Sequence, residues 1–159
     1  MANEPESRLY EEYRAALQAY IFEGAAFWNR ITAFVLLNSA LLVARNALPA
    51  GGGADWMRVG VALLGLAAVL LWAHTALRAH HLIAFWLALL RDIEARLDLT
   101  AGPFTVQAAF LVGRRLRLPG GATLRLPWYA RVNVNDSTSA ALTAVFGAVW
   151  LVSLVRASG

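Results

Sequence analysis

Residues 27–47 read FWNRITAFVLLNSALLVARNA, and between Arg30 and Arg45 they carry no charge. An α-helix rises about 1.5 Å per residue, so about 20 such residues cross a hydrocarbon core about 30 Å thick. The stretch is long enough to span a bilayer, with Arg30 and Arg45 placed to reach the interfaces by snorkelling. Two further runs qualify. Val59–Leu77 is interrupted only by His74, and Ala140–Val155 is short but sufficient with its flanks. Composition points the same way, with 59% hydrophobic residues, 15% charged residues and a mean hydropathy of +0.54. A soluble domain averages about 45–50% apolar and about 25% charged residues, so this chain has too little charge to cover a water-facing surface. The expected fold is an all-α membrane protein with about three transmembrane helices, two of them in long helical arms that extend into the cytoplasm.

Upstream of the first span, Leu9, Tyr10, Tyr13, Ala16, Leu17, Tyr20, Ile21 and Gly24 recur at helical spacing, with Glu11, Glu12, Arg14 and Gln18 between them. That is an amphipathic helix with an aromatic-rich face. Asn3 and Glu6 form a capping-box pattern around Pro5. The pattern runs without a clear break into the span, although Gly24 is a point where the arm can bend along the membrane surface. Pro49-Ala50-Gly51-Gly52-Gly53 then ends the helix, and Asp55 is placed to cap the next. The second helical pattern passes His74, Arg78, His80 and His81 and continues through LIAFWLALLRDIEARLDL to Ala101-Gly102-Pro103. Each arm is about 65 Å long at about 1.5 Å per residue, roughly twice the bilayer core.

A single membrane domain, 1–159, thus divides into four parts. Residues 4–47 are the amphipathic helix with the first span, and 55–98 the second span with its cytoplasmic extension. Residues 99–136 are a basic interfacial segment, and 137–156 hold the third span. Within the interfacial segment, Phe104–Val112 reads as a short helix. From Arg114 to Pro127, arginines alternate with apolar residues around Pro119-Gly120-Gly121, as in a small β-hairpin or a basic loop lying on headgroups. Arg114, Arg115, Arg117 and Arg125 are the expected headgroup contacts. Trp128 and Tyr129 mark an approach to the bilayer, and Asp136, Ser137 or Ser139 is placed to cap the last helix.

The net charge is +4, and all fourteen basic residues are arginine. Most flank apolar runs, which favours lipid headgroups over nucleic acid. Arg8, Arg14, Arg30, Arg78, Arg91, Arg96, Arg114, Arg115, Arg117, Arg125 and Arg131 fall on one side of the expected topology; only Arg45, Arg58 and Arg156 fall on the other. Cytoplasmic loops carry the excess of positive charge. The expected placement is a bacterial inner membrane with the N-terminus cytoplasmic and the C-terminus outside. The acidic, polar N-terminus is unlike a signal peptide, so the first span is expected to direct insertion.

Polar residues inside the first span are the most informative. Thr32, Ser39 and Asn46 recur every seven residues and share one stripe, with Asn38 and Arg45 on a neighbouring one. In lipid such side chains face other helices or water. They are either the lining of a pore or helix–helix hydrogen-bonding groups. Ala140, Ala144 and Ala148 have small-xxx-small spacing, and Gly60, Ala67 and His74 are also seven apart; both patterns permit close helix contact. Three spans bury little by themselves, so self-assembly is expected, with Tyr10, Tyr13 and Tyr20 as further assembly candidates.

Chemistry is not in evidence. The chain has no cysteine, hence no disulfide, thiolate site or thiol nucleophile. Gly51-Gly52-Gly53 is followed by no Lys-Ser/Thr and is no phosphate loop, and Ser39, Ser137, Ser139 and Ser153 have no nucleophile-elbow context. Glu11, Glu12, Asp92 and Glu94 read as solvated residues on charged helix faces. His74 and His81 are roughly 10 Å apart along the axis, too far to share a metal. No enzyme, cofactor or metal is expected.

The segments YEEYRAALQAYIFEGAAFWNRITAFVLLNSALL and FWLALLRDIEARLDL together resemble the membrane effector domains of bacterial conflict systems, the SLATT-like group. The resemblance covers roughly the first hundred residues and implies a helical hairpin that forms pores; the third span and the RRLRLPGG segment depart from that two-span plan. The leading expectation is a homo-oligomeric integral membrane protein forming a channel or pore. The alternatives are an accessory or scaffold subunit with a protein partner at the cytoplasmic helices, and a membrane haem or metal protein using His74, His80 and His81.

Overall fold

The computed structural model describes residues 4–49, 55–99, 102–112, 116–117, 123–124 and 134–158. The capping pattern at Asn3, the glycines of the 50–54 tip, Arg114, Arg115, Arg125, Trp128 and Tyr129 lie outside the described residues. Helix α1 is Glu4–Ala47, α2 is Asp55–Arg96, α3 is Pro103–Leu111 and α4 is Val134–Ser158. Strands β1, Leu116–Arg117, and β2, Thr123–Leu124, pair antiparallel with Leu116 opposite Leu124 and Arg117 opposite Thr123. The chain is an all-α membrane protein: α1, α2 and α4 are each long and apolar enough to cross a bilayer. α1 continues as helix through Gly24.

Two compact units form. One comprises Met1–Gly24 with His81–Val134, the other Ala25–His80 with Asn135–Gly159, so α1 and α2 contribute to both.

In the first unit, the core is Ala16, Leu90, Ile93 and Phe104. Tyr13, Leu17 and Tyr20 from α1, and Trp86 and Leu87 from α2, pack against it. These are the apolar positions whose helical spacing marks the amphipathic face, so the face exists to bury α2 and α3. The Phe104 ring sits edge-on to Tyr20 at 5.5 Å and to Tyr13 at 6.4 Å, the arrangement favoured by aromatic quadrupoles.

The end of α2 is a Schellman turn. The Leu99 N–H donates to the Glu94 carbonyl at 2.9 Å and the Asp98 N–H to the Ala95 carbonyl at 3.2 Å. Asp98 takes the left-handed position, at φ 54°, where glycine is the usual occupant. Asp98→Gly is expected to stabilise this turn by roughly 0.5–1 kcal/mol, because the Cβ penalty at positive φ disappears; a urea titration followed by helical circular dichroism checks it.

In the second unit, Phe27, Ile31, Phe34 and Asn38 form the buried edge of α1. Ala62, Val69, Trp72, Ala76 and Ala79 form that of α2, and Trp150 and Ser153 that of α4. Phe34 stacks on Trp72 at 5.0 Å and meets Phe146 edge-on at 5.3 Å. Lipid is as apolar as leucine, so membrane helices gain most by close packing at small residues. Gly65 against Trp150 and Gly147 against Val69 are such contacts.

Candidate functional site

Each unit holds a buried polar centre. In the first it is Glu94, fully buried on α2. The start of α3 explains it. Pro103 is the first helical residue and Gly102, ahead of it, has no side chain to cap the exposed N–H groups of the first turn. Glu94 supplies the missing acceptor. Its Oε1 accepts from the Phe104 N–H at 3.1 Å and from the Tyr13 hydroxyl at 3.2 Å. Its Oε2 accepts from the Thr105 N–H at 2.8 Å and the Thr105 hydroxyl at 2.7 Å. The carboxylate also lies at the positive end of the α3 dipole. Arg91 adds a bond from its Nε to the Phe104 carbonyl at 3.3 Å. Glu94 is therefore a correction to the sequence reading, in which it was a solvated surface residue; Glu11, Glu12 and Asp92 are exposed. The signal was present in Gly102-Pro103: a helix start without its own cap requires an acceptor from another element.

In the second unit the centre is Asn38, also fully buried. Its amide Nδ2 donates to the Phe34 carbonyl at 2.9 Å, and its Oδ1 accepts from the Trp150 indole at 2.8 Å. Asn38 thus ties α1 to α4 inside one protomer. Arg45, on the same stripe, donates from Nη2 to the Ser153 carbonyl at 3.2 Å. Both residues were expected along a pore; within the protomer both bond to α4.

The other stripe behaves differently. Thr32, Ser39 and Asn46 are all exposed on the outer surface of α1. Thr32 bonds its own Trp28 carbonyl at 3.1 Å, a common way for a hydroxyl to be satisfied within a membrane helix. Ser39 and Asn46 have no partner among the described residues. Ala140, Ala144 and Ala148 are likewise exposed, on α4. Of the tyrosines, Tyr13 and Tyr20 belong to the first unit's packing, while Tyr10 is 44% exposed.

The remaining candidates are dispersed. His74, His80 and His81 are exposed, and the His80 Nδ1 lies 2.7 Å from an Asp136 carboxylate oxygen at the start of α4. No group of three or more His, Cys, Asp or Glu residues able to hold a metal is found among the described residues. Of the arginines expected on headgroups, only Arg117 is described, by its backbone in β1.

A family model, that of the octameric membrane protein family (8xMP), matches residues 10–158, nearly the whole chain. The chain belongs to the octameric membrane protein family. No curated protein and no solved structure matches it. With three apolar helices of spanning length and this membership, the protein is a homo-oligomeric integral membrane protein. The outward polar groups of α1 lie on a helix long and apolar enough to cross a bilayer. A hydroxyl or amide facing hydrocarbon without a partner costs free energy.

Proposed function

We propose that the chain assembles as a ring of eight in the bacterial inner membrane and conducts ions or small solutes through a central pore. The N-terminus and the parts of the two helical arms beyond the bilayer are cytoplasmic and the C-terminus is outside, as the arginine distribution favours. The observation that carries this reading is the exposed stripe of Thr32, Ser39 and Asn46 on a helix that otherwise spans lipid. Residues seven apart lie at nearly the same angle on a helix. A ring of such stripes gives a continuous polar lining.

The absence of cysteine makes the test clean. The purified oligomer reconstituted in liposomes is expected to conduct, and the unmodified protein to be indifferent to a cationic methanethiosulfonate. Ser39→Cys is expected to conduct normally and then lose at least about tenfold of its current on modification, since a bulky cation placed in a narrow lumen blocks by size and charge. An oligomer that conducts nothing in liposomes ends the pore reading.

A second reading keeps one observation of its own. Tyr10, Ile21, Phe22 and Phe85 are exposed by 44%, 59%, 69% and 57% on the first unit, the part expected in the cytoplasm. Large apolar side chains facing water mark interaction surfaces. A soluble protein copurifying in stoichiometric amount and lost on Phe22→Ser would favour a scaffold role.

A further inference from the structure

Arg45, Arg58 and Arg156 are far apart in sequence, yet the second unit brings all three to one end. α1 and α4 run parallel, as the Asn38–Trp150 bond and the bond from Arg45 to the Ser153 carbonyl require. α2 begins where they finish: Gly65 packs against Trp150, and the Arg58 Nη2 donates to the Leu48 carbonyl at 2.8 Å. Charge is not balanced at this end. Asp55 is the one carboxylate side chain between Glu23 and Asp92, and it lies 4.0 Å from the Arg58 Nη1. The acidic residue of α4, Asp136, is in the first turn, at the opposite end of that helix. Arg45 and Arg156, in the last turns of α1 and α4, have no carboxylate partner among the described residues. The insertion rule that gathers most of the arginines on the other side does not account for these.

The two unpaired guanidinium groups share one turn of α4. Arg45 donates from Nη2 to the Ser153 carbonyl at 3.2 Å, and its Nε is buried without an acceptor, so its charge is left to be compensated at the Nη edge. A long helical side chain leans back over the turn before it, which puts the stem of Arg156 over the turn that holds Ser153. The C-terminal dipoles of α1 and α4 offset part of this charge. Two cations so placed still repel unless an anion lies between them, and guanidinium forks match the oxygens of a phosphate. The surroundings indicate what carries that phosphate. Val43, Val152 and Val155 are exposed on the adjoining turns, and Trp56 is 69% exposed at the start of α2. These are an apolar flank for acyl chains and an indole of the kind that settles at headgroup level. We propose that Arg45 and Arg156 together hold the phosphate of an anionic phospholipid whose chains lie along these valines. In the topology proposed above it is a lipid of the outer leaflet; the contact itself depends on neither the topology nor the pore.

The test titrates the oligomer, stripped of lipid in a neutral detergent, with phosphatidylglycerol, phosphatidylcholine or inorganic phosphate, and counts bound lipid from the mass of the intact complex. Phosphatidylglycerol is expected to bind at least about tenfold more tightly than phosphatidylcholine, whose ammonium group repels the same arginines. Arg45→Gln and Arg156→Gln are each expected to remove about that factor, the loss of one charge-assisted contact. Arg8→Gln makes the same change of charge on an exposed residue of the first unit and should leave binding unchanged. Arg156 is exposed, so its variant keeps the fold even where loss of the Arg45–Ser153 bond loosens α1 from α4, and the mass of each variant reports its assembly. Equal binding of the two lipids overturns the proposal, as does unchanged binding in Arg156→Gln or an equal loss in Arg8→Gln. Displacement of phosphatidylglycerol by millimolar inorganic phosphate overturns it too, in favour of a site for free anions. Conductance plays no part in this readout, so either result leaves the pore reading to its own test.

Discussion

Glu94→Gln is expected to weaken the α3 attachment by about 3 kcal/mol, read as roughly 100-fold faster hydrogen exchange at the Phe104 and Thr105 amides. The carboxylate receives four hydrogen bonds, two on each oxygen. A glutamine keeps one oxygen and replaces the other with a donor. In either orientation one backbone N–H, that of Phe104 or of Thr105, loses its acceptor and faces an N–H instead, while the hydroxyl on the same side has to turn from donor to acceptor. A buried group left unsatisfied costs about 1–3 kcal/mol, and bonds to a charged acceptor are at the strong end. A helix of nine residues cannot absorb that loss, since short helices are held by tertiary contact. Gly102→Ala should reproduce the effect by another route. A Cβ there overlaps the Glu94 side chain, the carboxylate included, and the carboxylate has to leave the α3 N-terminus to make room. Exchange unchanged in both variants would show that Glu94 does not hold α3.

Gly65→Ala is expected to destabilise the three-helix packing by about 4 kcal/mol, followed as the midpoint of unfolding in a denaturing detergent. A Cβ at position 65 would lie inside the indole of Trp150, a side chain with no exposed surface. Overpacking alone costs about 1–3 kcal/mol. Moving the indole also takes its N–H from Asn38 Oδ1, leaving a buried carbonyl oxygen without a donor, for about 1–3 kcal/mol more. Trp150→Phe should cost about 2–3 kcal/mol for the same lost donor and reduced volume. Adding Asn38→Leu should then recover part of it, because removing both partners leaves nothing unsatisfied. Strict additivity of those two changes would mean the bond contributes nothing.

Several features are legible in the sequence. Apolar helical runs with almost no charge, long enough to cross the hydrocarbon core, mark the spans, so these and the two long arms follow from local pattern. The glycine-rich break after Pro49 and the capping signal at Asp55 set the start of α2 in the same way. The seven-residue repeat of Thr32, Ser39 and Asn46 identified a shared stripe, because angle around a helix depends only on spacing.

Which stripe faces where was not local. Asn38 and Ser39 are neighbours in sequence and both polar, yet one is buried against Trp150 and the other exposed; nothing between residues 38 and 39 reveals that α4 lies on one side. Glu94 sits among Arg91, Asp92 and Arg96 and has their chemistry. It differs only because α3 begins at Pro103, just after Gly102, and points its first-turn N–H groups at it. The sequence by itself determined what depends on hydrophobicity and helical period: the number of spans, the length of the arms, and which side chains share an angle. The tertiary structure alone decided which of those angles are buried within the protomer and which are exposed, because hydrogen bonds between distant helices depend on where the chain returns rather than on its local period.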